Sequence, residues 1–129
     1  MKKILVITSL LFSVLMANAQ SLDESKEIIQ QEIEATSKLL KGKQIDFMTT
    51  CVDILFDGKD VIYVYKVDET YCKFSNLDFN KIKETQTLIF DNNEAVKALM
   101  EYLKNLGGRI IHIYIGNMSY ETNSITYYK

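Results

Sequence analysis

The sequence predicts a single small α+β domain, and two kinds of periodicity lead to this prediction. Apolar residues recur every three or four positions in residues 21–41 and again after residue 91, as they do along one side of a helix. They alternate with a period of two in residues 45–67 and 109–115, as they do in a half-buried strand. Helices and strands in this order favour an antiparallel sheet with two helices packed on one of its faces.

The first nineteen residues, MKKILVITSLLFSVLMANA, have the features of a secretory signal peptide. Two lysines precede an apolar run from Ile4 to Met16, and small residues stand at Ala17 and Ala19. The apolar run is about thirteen residues long, whereas a membrane-spanning helix needs roughly 20. We therefore expect cleavage between Ala19 and Gln20, export to the periplasm or the medium, and no stable membrane anchor.

The charge of residues 20–129 restricts the classes of partner. Without Lys2 and Lys3, 13 basic residues stand against 17 acidic ones, which makes the formal charge −4. Nucleic acids and anionic membranes are bound by basic patches, so no nucleic-acid partner is predicted. A chain of this length forms one domain, so residues 20–129 are expected to be one α+β unit.

The first helix is predicted over residues 21–41, SLDESKEIIQQEIEATSKLLK. Ser21 is the predicted N-cap, and Gly42 follows the last turn as a stop signal. The polar side of this helix is expected to face solvent. The positions at helical spacing are Leu22, Ile28, Ile29, Ile33, Thr36, Leu39 and Leu40.

A β-hairpin is predicted next, with its turn at residues 57–60. Two runs rich in β-branched and aromatic residues flank the Asp57-Gly58 pair, which is a hairpin signal. The predicted pairs are Phe56 with Val61, Ile54 with Tyr63, and Val52 with Tyr65. The face predicted to form the core carries Val52, Ile54, Phe56, Val61, Tyr63 and Tyr65, and the other carries Cys51, Asp53, Leu55, Ile62, Val64 and Lys66.

The second half of the chain is predicted to add a strand, a helix and two more strands. The segment TQTLIF at 85–90 is the predicted third strand, and Asp91 with Glu94 forms a capping box for a helix that ends at Gly107-Gly108. A strand follows at 109–115 and the last lies in SITYYK. The order α-β-β-(β)-α-β-β resembles a circular permutation of the ferredoxin-like pattern, an analogy of fold that implies no function.

His112 is the single histidine of the chain, and its strand has two apolar faces. Ile111, Ile113 and Ile115 form one face, and the other is formed by Ile110, His112 and Tyr114. We expect the three isoleucines to meet the helices. The opposite face would then be left open by two helices, and its predicted members are Leu55, Ile62, Val64, His112 and Tyr114.

An open face of this kind predicts a binding function, because large exposed apolar patches usually mark interaction sites. The expected partner is a second copy of the chain, as a homodimer, or another exported protein. The abundance of tyrosine supports this expectation, since tyrosine combines apolar area with a hydrogen-bonding hydroxyl. The alternative is a small-ligand binding protein whose tyrosine-lined site holds a sugar or an aromatic compound.

Cys51 and Cys72 are candidate disulfide partners, because exported proteins form disulfides. In the predicted register Cys51 faces Lys66, which leaves Cys72 roughly 20 Å away unless the chain bends after Val67. A Cys-dependent enzyme using Cys51 and His112 is a further alternative, although MTTCVDIL contains nothing that would lower a thiol pKa. One histidine and two distant cysteines do not make a zinc site, and no metal or other cofactor is predicted.

Overall fold

The computed structural model describes residues 22–127. The predicted signal peptide, its cleavage site at Ala19-Gln20 and the predicted N-cap Ser21 lie outside the described residues. The elements in chain order are α1 (Leu22–Leu40), β1 (Gln44–Asp46), β2 (Thr49–Phe56), β3 (Val61–Val67), a 3-10 turn (Phe74–Asn76), α2 (Phe79–Asp91), α3 (Glu94–Asn105), β4 (Ile110–Gly116) and β5 (Thr122–Tyr127). The α+β class is thereby confirmed.

The five strands form a single sheet in the order β1-β2-β3-β4-β5. All neighbours are antiparallel except β3 and β4, which are parallel. The sheet is therefore mixed, which corrects the prediction of a purely antiparallel one. The reason is the connection between β3 and β4: α2 and α3 carry the chain back to the end of the sheet at which β3 began, and a parallel pair requires such a crossover. The ferredoxin-like comparison remains an analogy.

The β2–β3 hairpin has the predicted turn. The Asp57 carboxylate accepts hydrogen bonds from the backbone N–H groups of Lys59 and Asp60 at 2.9 and 2.6 Å, and Gly58 takes φ of 92°. Phe56 pairs with Val61 and Ile54 with Tyr63, as predicted.

A β-bulge between Cys51 and Asp53 changes the register in the first half of β2. It sets Cys51, not Val52, opposite Tyr65. A bulge adds one residue to one strand, so Val52 leaves the predicted core face and Cys51 takes its place.

The segment TQTLIF, predicted as the third strand, is the second half of helix α2. Its buried positions Ile82, Gln86 and Phe90 are four residues apart, which is the spacing of one helix face. The Asp78 carboxylate caps the helix by accepting a hydrogen bond from the backbone N–H of Lys81 at 3.1 Å. Thr, Ile and Phe favour strands intrinsically, but packing against the sheet overrides that preference here.

Helix α3 begins two residues later than the predicted capping box. Asn93 is the N-cap, and its side chain accepts a hydrogen bond from the backbone N–H of Val96 at 3.1 Å, whereas Asp91 ends α2. Five apolar residues recur at helical spacing in this segment, and four of them, Val96, Leu99, Met100 and Leu103, are buried as that spacing predicts, while the fifth, Leu106, is half-buried.

One hydrophobic core joins the helices to one face of the sheet. It contains Ile29 and Ile33 of α1, Ile82 and Phe90 of α2, and the buried stripe of α3. The strand residues of this core face come in paired rows across the sheet: Phe56, Val61, Ile110 and Tyr127; Ile54, Tyr63, His112 and Ile125; Cys51, Tyr65 and Tyr114.

Candidate functional site

The opposite face of the sheet, here called the open face, contributes none of its residues to the core that the described helices form, and only its β2 side, at Asp53 and Leu55, borders a groove beside α1. Its residues also form three rows across β2, β3, β4 and β5. The rows are Leu55, Ile62, Ile111 and Thr126; Asp53, Val64, Ile113 and Ser124; Thr50, Lys66, Ile115 and Thr122. The central strands thus contribute mostly branched aliphatic side chains, while the outer strands contribute mostly polar ones.

The middle of the open face is apolar and partly exposed to solvent. Four side chains on the two central strands make up this apolar centre, namely Ile62, Val64, Ile111 and Ile113. Leu55, at one side, exposes 46% of its surface, and Val52 at the bulge exposes 36%. Neighbouring aliphatic side chains shield one another on a sheet surface, so partial exposure of each member adds up to one continuous patch.

Polar and charged side chains surround the apolar centre. Lys66 is exposed, and Asp53 is half-buried with its carboxylate 3.9 Å from the Lys41 ammonium group. The hydroxyl residues Thr122, Ser124 and Thr126 of β5 form the side opposite Leu55. An apolar middle with a polar rim is the composition of a protein–protein interface.

The structure divides the five predicted binding-face residues between the two faces of the sheet. Leu55, Ile62 and Val64 lie on the open face, as predicted. His112 and Tyr114 do not: they are buried in the core, with 2% and 0% of their surfaces exposed. Their places on the open face belong to Ile111, Ile113 and Ile115, which the sequence predicted to meet the helices.

The reversal of β4 follows from its pairing with β3. In the parallel register Tyr63 pairs with His112 and Tyr65 with Tyr114, and paired residues share a face. Both faces of β4 are apolar, so alternation within the strand alone could not decide which face would meet the helices. A signal was available in β3, because its most aromatic face was already predicted to form the core.

His112 lies inside a cluster of aromatic rings. Its ring centroid is 4.9 Å from that of Tyr63, 5.0 Å from that of Tyr127 and 5.9 Å from that of Phe90. Burial lowers the pKa of His112 from 6.5 to about 3, so the imidazole is neutral at pH 7. No described residue forms a hydrogen bond with its Nδ1 atom. His112 is therefore shielded from any substrate in solution and acts in the packing of the core.

The buried tyrosines that surround His112 are also poor ligand-binding groups. Burial raises the pKa of Tyr63, Tyr65 and Tyr114, which keeps their hydroxyls protonated. The hydroxyls of Tyr114 and Tyr127 affect each other's pKa, yet neither has a hydrogen-bond partner of good geometry among the described residues. Because these rings face the core, they do not form a platform on which a sugar could stack.

The exposed aromatic residues lie at one end of the sheet instead. The rings of Phe47 and Tyr71 meet edge to face with centroids 5.4 Å apart, and Tyr120 exposes 76% of its surface in the turn between β4 and β5. These residues belong to loops, and sequence alternation within strands did not point to them.

Both cysteines are free thiols in the structure, so the candidate Cys51–Cys72 disulfide is not formed in it. Burial, followed by the negative charge of Asp53, raises the pKa of Cys51 to about 11. Cys51 and His112 pair with different residues of β3, which lies between their strands and separates them by roughly 10 Å. A protonated, buried thiol that is out of reach of the imidazole is unsuited to nucleophilic catalysis.

A cavity of about 240 Å³ lies at the C-terminal end of α3. Its lining includes Met100, Leu103, Gly108, Ile110 and Tyr127. A shallower groove between α1 and β2 is lined by Ile33, Lys38, Lys41, Asp53 and Phe56, among others. Within residues 22–127, no three His, Cys, Asp or Glu side chains come together as metal ligands would, and no helix there is both long and apolar enough to cross a membrane.

Comparison with known proteins finds a similar fold in a solved structure. No family model matches the chain, and no curated protein matches it. The fold itself is a known one. The crystal structure of a "putative secreted protein" from Pseudomonas aeruginosa is similar to this chain, with a TM-score of 0.65, 9% sequence identity, and coverage of 85% of this chain and 95% of that chain. At this low identity the similarity shows a shared fold alone.

Proposed function

We propose that this chain is an exported, non-catalytic interaction module that binds a protein surface through the open face of its sheet. The partner is a second copy of the chain or another exported protein. The observation that carries this proposal is the apolar centre of Ile62, Val64, Ile111 and Ile113, which none of the described helices covers. Export is proposed from the signal-peptide features of residues 1–19, and the similarity to a "putative secreted protein" agrees with it.

The size of the open face supports a protein partner. Four strands spaced about 4.8 Å apart, with three rows two residues apart, cover roughly 400 Å². A standard interface takes about 800 Å² from each partner. The open face would therefore supply the apolar middle of an interface, and the polar rim with the adjacent Val52 would supply the remainder.

The charges of the open face favour a partner without high net charge. Asp53 and Lys66 carry opposite signs, and Asp53 already lies near Lys41. A polyanion such as a nucleic acid requires a basic surface, which these residues do not provide. Depletion of charge at the middle of the face is the pattern of a protein interface.

A photo-cross-linking amino acid at position 113 tests the proposal. Ile113 lies in the apolar centre, so we expect ultraviolet light to produce a discrete adduct of higher mass from this position. The matched control is position 88, because Leu88 is an apolar residue with 61% of its surface exposed on helix α2, outside the open face. The experiment uses the purified chain and, separately, the cells that produce it.

The two preparations identify the partner. An adduct from position 113 that forms in the purified chain, and still forms when β5 carries the substitution Ser124→Pro, would assign the face to a second copy. An adduct that forms only in the producing cells would assign it to another protein. Absence of an adduct in both, or equal labelling from position 88, would contradict the proposal.

The small-ligand alternative has weaker support. Three of the tyrosines that could have formed a stacking site, Tyr63, Tyr65 and Tyr114, are buried in the core. The exposed Phe47 and Tyr71 remain as a stacking surface, and a change in tyrosine fluorescence on addition of sugars, absent in Tyr71→Ala, would favour this function.

A further inference from the structure

The two edges of the sheet are built differently. The β1 edge is three residues long and has a register shift where it meets β2. The β5 edge is six residues long and pairs with β4 without a shift. Natural proteins protect exposed edges with short strands, bulges, proline or charged residues. The β1 edge has three of these protections, since it is short, has a register shift and contains the charged Asp46, whereas the β5 segment TNSITY contains no charge and no proline.

Alternate residues of β5 form hydrogen bonds with β4, and the backbone groups of the residues between them point outwards. The Gly116 N–H donates to the Glu121 carbonyl at 2.9 Å, so this pair is of the hydrogen-bonded kind. Such pairs alternate along an antiparallel ladder, and therefore residues 123, 125 and 127 bond with β4. The N–H and C=O groups of Thr122, Ser124 and Thr126 point away from β4, at the edge of the described sheet.

We propose that a second copy of the chain pairs with this edge, β5 against β5, about a two-fold axis at Ser124. The outward groups lie at positions 122, 124 and 126, so they are symmetric about Ser124. In the antiparallel arrangement Ser124 faces Ser124 of the partner subunit, and Thr122 faces Thr126 of the partner subunit. About six backbone hydrogen bonds would form between the two copies. On each copy they would satisfy the three outward N–H groups and the three outward C=O groups.

The side chains of these residues fit the same arrangement. Thr122, Ser124 and Thr126 all lie on the open face, and the first and second of them are exposed. Hydroxyl side chains opposite one another on neighbouring strands form favourable cross-strand pairs. The strand that best fits this edge is therefore short, uncharged and rich in hydroxyl side chains. Strand β5 of a second copy has these properties.

Edge pairing uses a surface different from the apolar centre of the open face. The two-fold axis would be perpendicular to the sheet, so both open faces would lie on the same side of one continuous sheet. The dimer would present two apolar centres side by side, and the two sites could be occupied together.

The substitution Ser124→Pro tests the edge pairing. Proline removes an N–H that points outwards and leaves the bonds between β4 and β5 intact, so the chain should remain folded, as circular dichroism would show. We expect light scattering across a concentration series to find a dimer of residues 20–129 for the native sequence and for Ser124→Ala, and a monomer for Ser124→Pro. Ser124→Lys, which places a charge on the edge, should also be monomeric and serves if the proline variant fails to fold.

A second variant separates this proposal from binding through the open face. Ile113→Glu alters the apolar centre and should leave the edge dimer unchanged. A native dimer that Ile113→Glu dissociates and Ser124→Pro does not would overturn edge pairing while supporting the open face as the self-association surface. A native chain that is monomeric at every concentration would also overturn it. Slowed amide hydrogen exchange at Thr122, Ser124 and Thr126 on raising the protein concentration is the expected direct signature.

Discussion

His112 is held as a neutral imidazole inside a ring of aromatic side chains. It packs against Tyr63, Tyr127 and Phe90, and burial is the cause that lowers its pKa to about 3. The protonated form would place a charge in the core without a described hydrogen-bond partner at Nδ1. Protonation of His112 therefore lowers the stability of the folded state.

This dependence predicts acid sensitivity. An unfolded chain binds a proton at His112 near pH 6.5, whereas the folded chain binds it only near pH 3, so the free energy of unfolding falls as the pH drops between these values. At pH 4 the loss due to His112 should be roughly 3 kcal/mol. Urea titrations at pH 7 and pH 4 measure it, with His112→Phe as the variant that lacks the titrating group.

The comparison with His112→Phe isolates the histidine, because acidic residues also titrate in this range. Hydrogen bonds lower the pKa of Asp57 and Glu69, whose contributions to stability are likewise lost in acid. These contributions are common to both proteins. An equal loss of stability in the native chain and in His112→Phe would show that the imidazole is not buried as described.

At the scale of elements, helix α2 depends on its cap and its packing more than on intrinsic preference. Its last turns contain Thr, Ile and Phe, which favour strands, yet Ile82, Gln86 and Phe90 pack along one helix face. Asp78 stabilises the other end by accepting a hydrogen bond from the Lys81 N–H. The connection from β3 to β4 is helical for these reasons, and β4 can then pair with β3 in parallel.

The cap of α2 gives a prediction at this scale. Asp78→Ala removes the acceptor for the Lys81 N–H and should lower the free energy of unfolding by about 1 kcal/mol. Asp78→Asn keeps an acceptor at the same position and should cost much less. Thermal unfolding of the three proteins measures the difference, and equal losses for Ala and Asn would assign the effect to charge instead of capping.

At the scale of the whole molecule, a single core connects every layer of the domain. Helices α1, α2 and α3 and the core face of the sheet contribute to one contiguous cluster of buried residues. Within residues 22–127 the same arrangement leaves the apolar centre of the open face without a helix over it, since α1, α2 and α3 contribute to the core on the opposite side. The single core and the uncovered apolar centre of the sheet thus have a common structural origin.

The single core predicts one cooperative unfolding transition. Helix content, followed by far-ultraviolet circular dichroism, and tyrosine packing, followed by fluorescence, should change at the same denaturant concentration. The buried Tyr63, Tyr65 and Tyr114 make the tyrosine signal a report on the core, because the chain has no tryptophan. Separate transitions for the two signals would mean that the helical layer unfolds independently of the sheet.

Features that depend only on neighbouring residues could be predicted from the sequence. The amphipathic stripes of α1 and α3, the Asp57-Gly58 turn and the pairing of Phe56 with Val61 follow from local spacing, because side-chain direction repeats every 3.6 residues in a helix and every two in a strand. The same local rules placed Leu55, Ile62 and Val64 together on the face that is found open.

The side of β4 that faces the helices and the helical structure of residues 85–90 depend instead on contacts between residues far apart in the sequence. The orientation of β4 depends on its parallel partner β3, and the crossover through α2 and α3 sets that pairing. The bulge at Val52 likewise exchanged Cys51 and Val52 between the faces. A strand with two apolar faces has no internal preference for either, so contacts with residues distant in sequence buried His112 and Tyr114 and left Ile111 and Ile113 partly exposed.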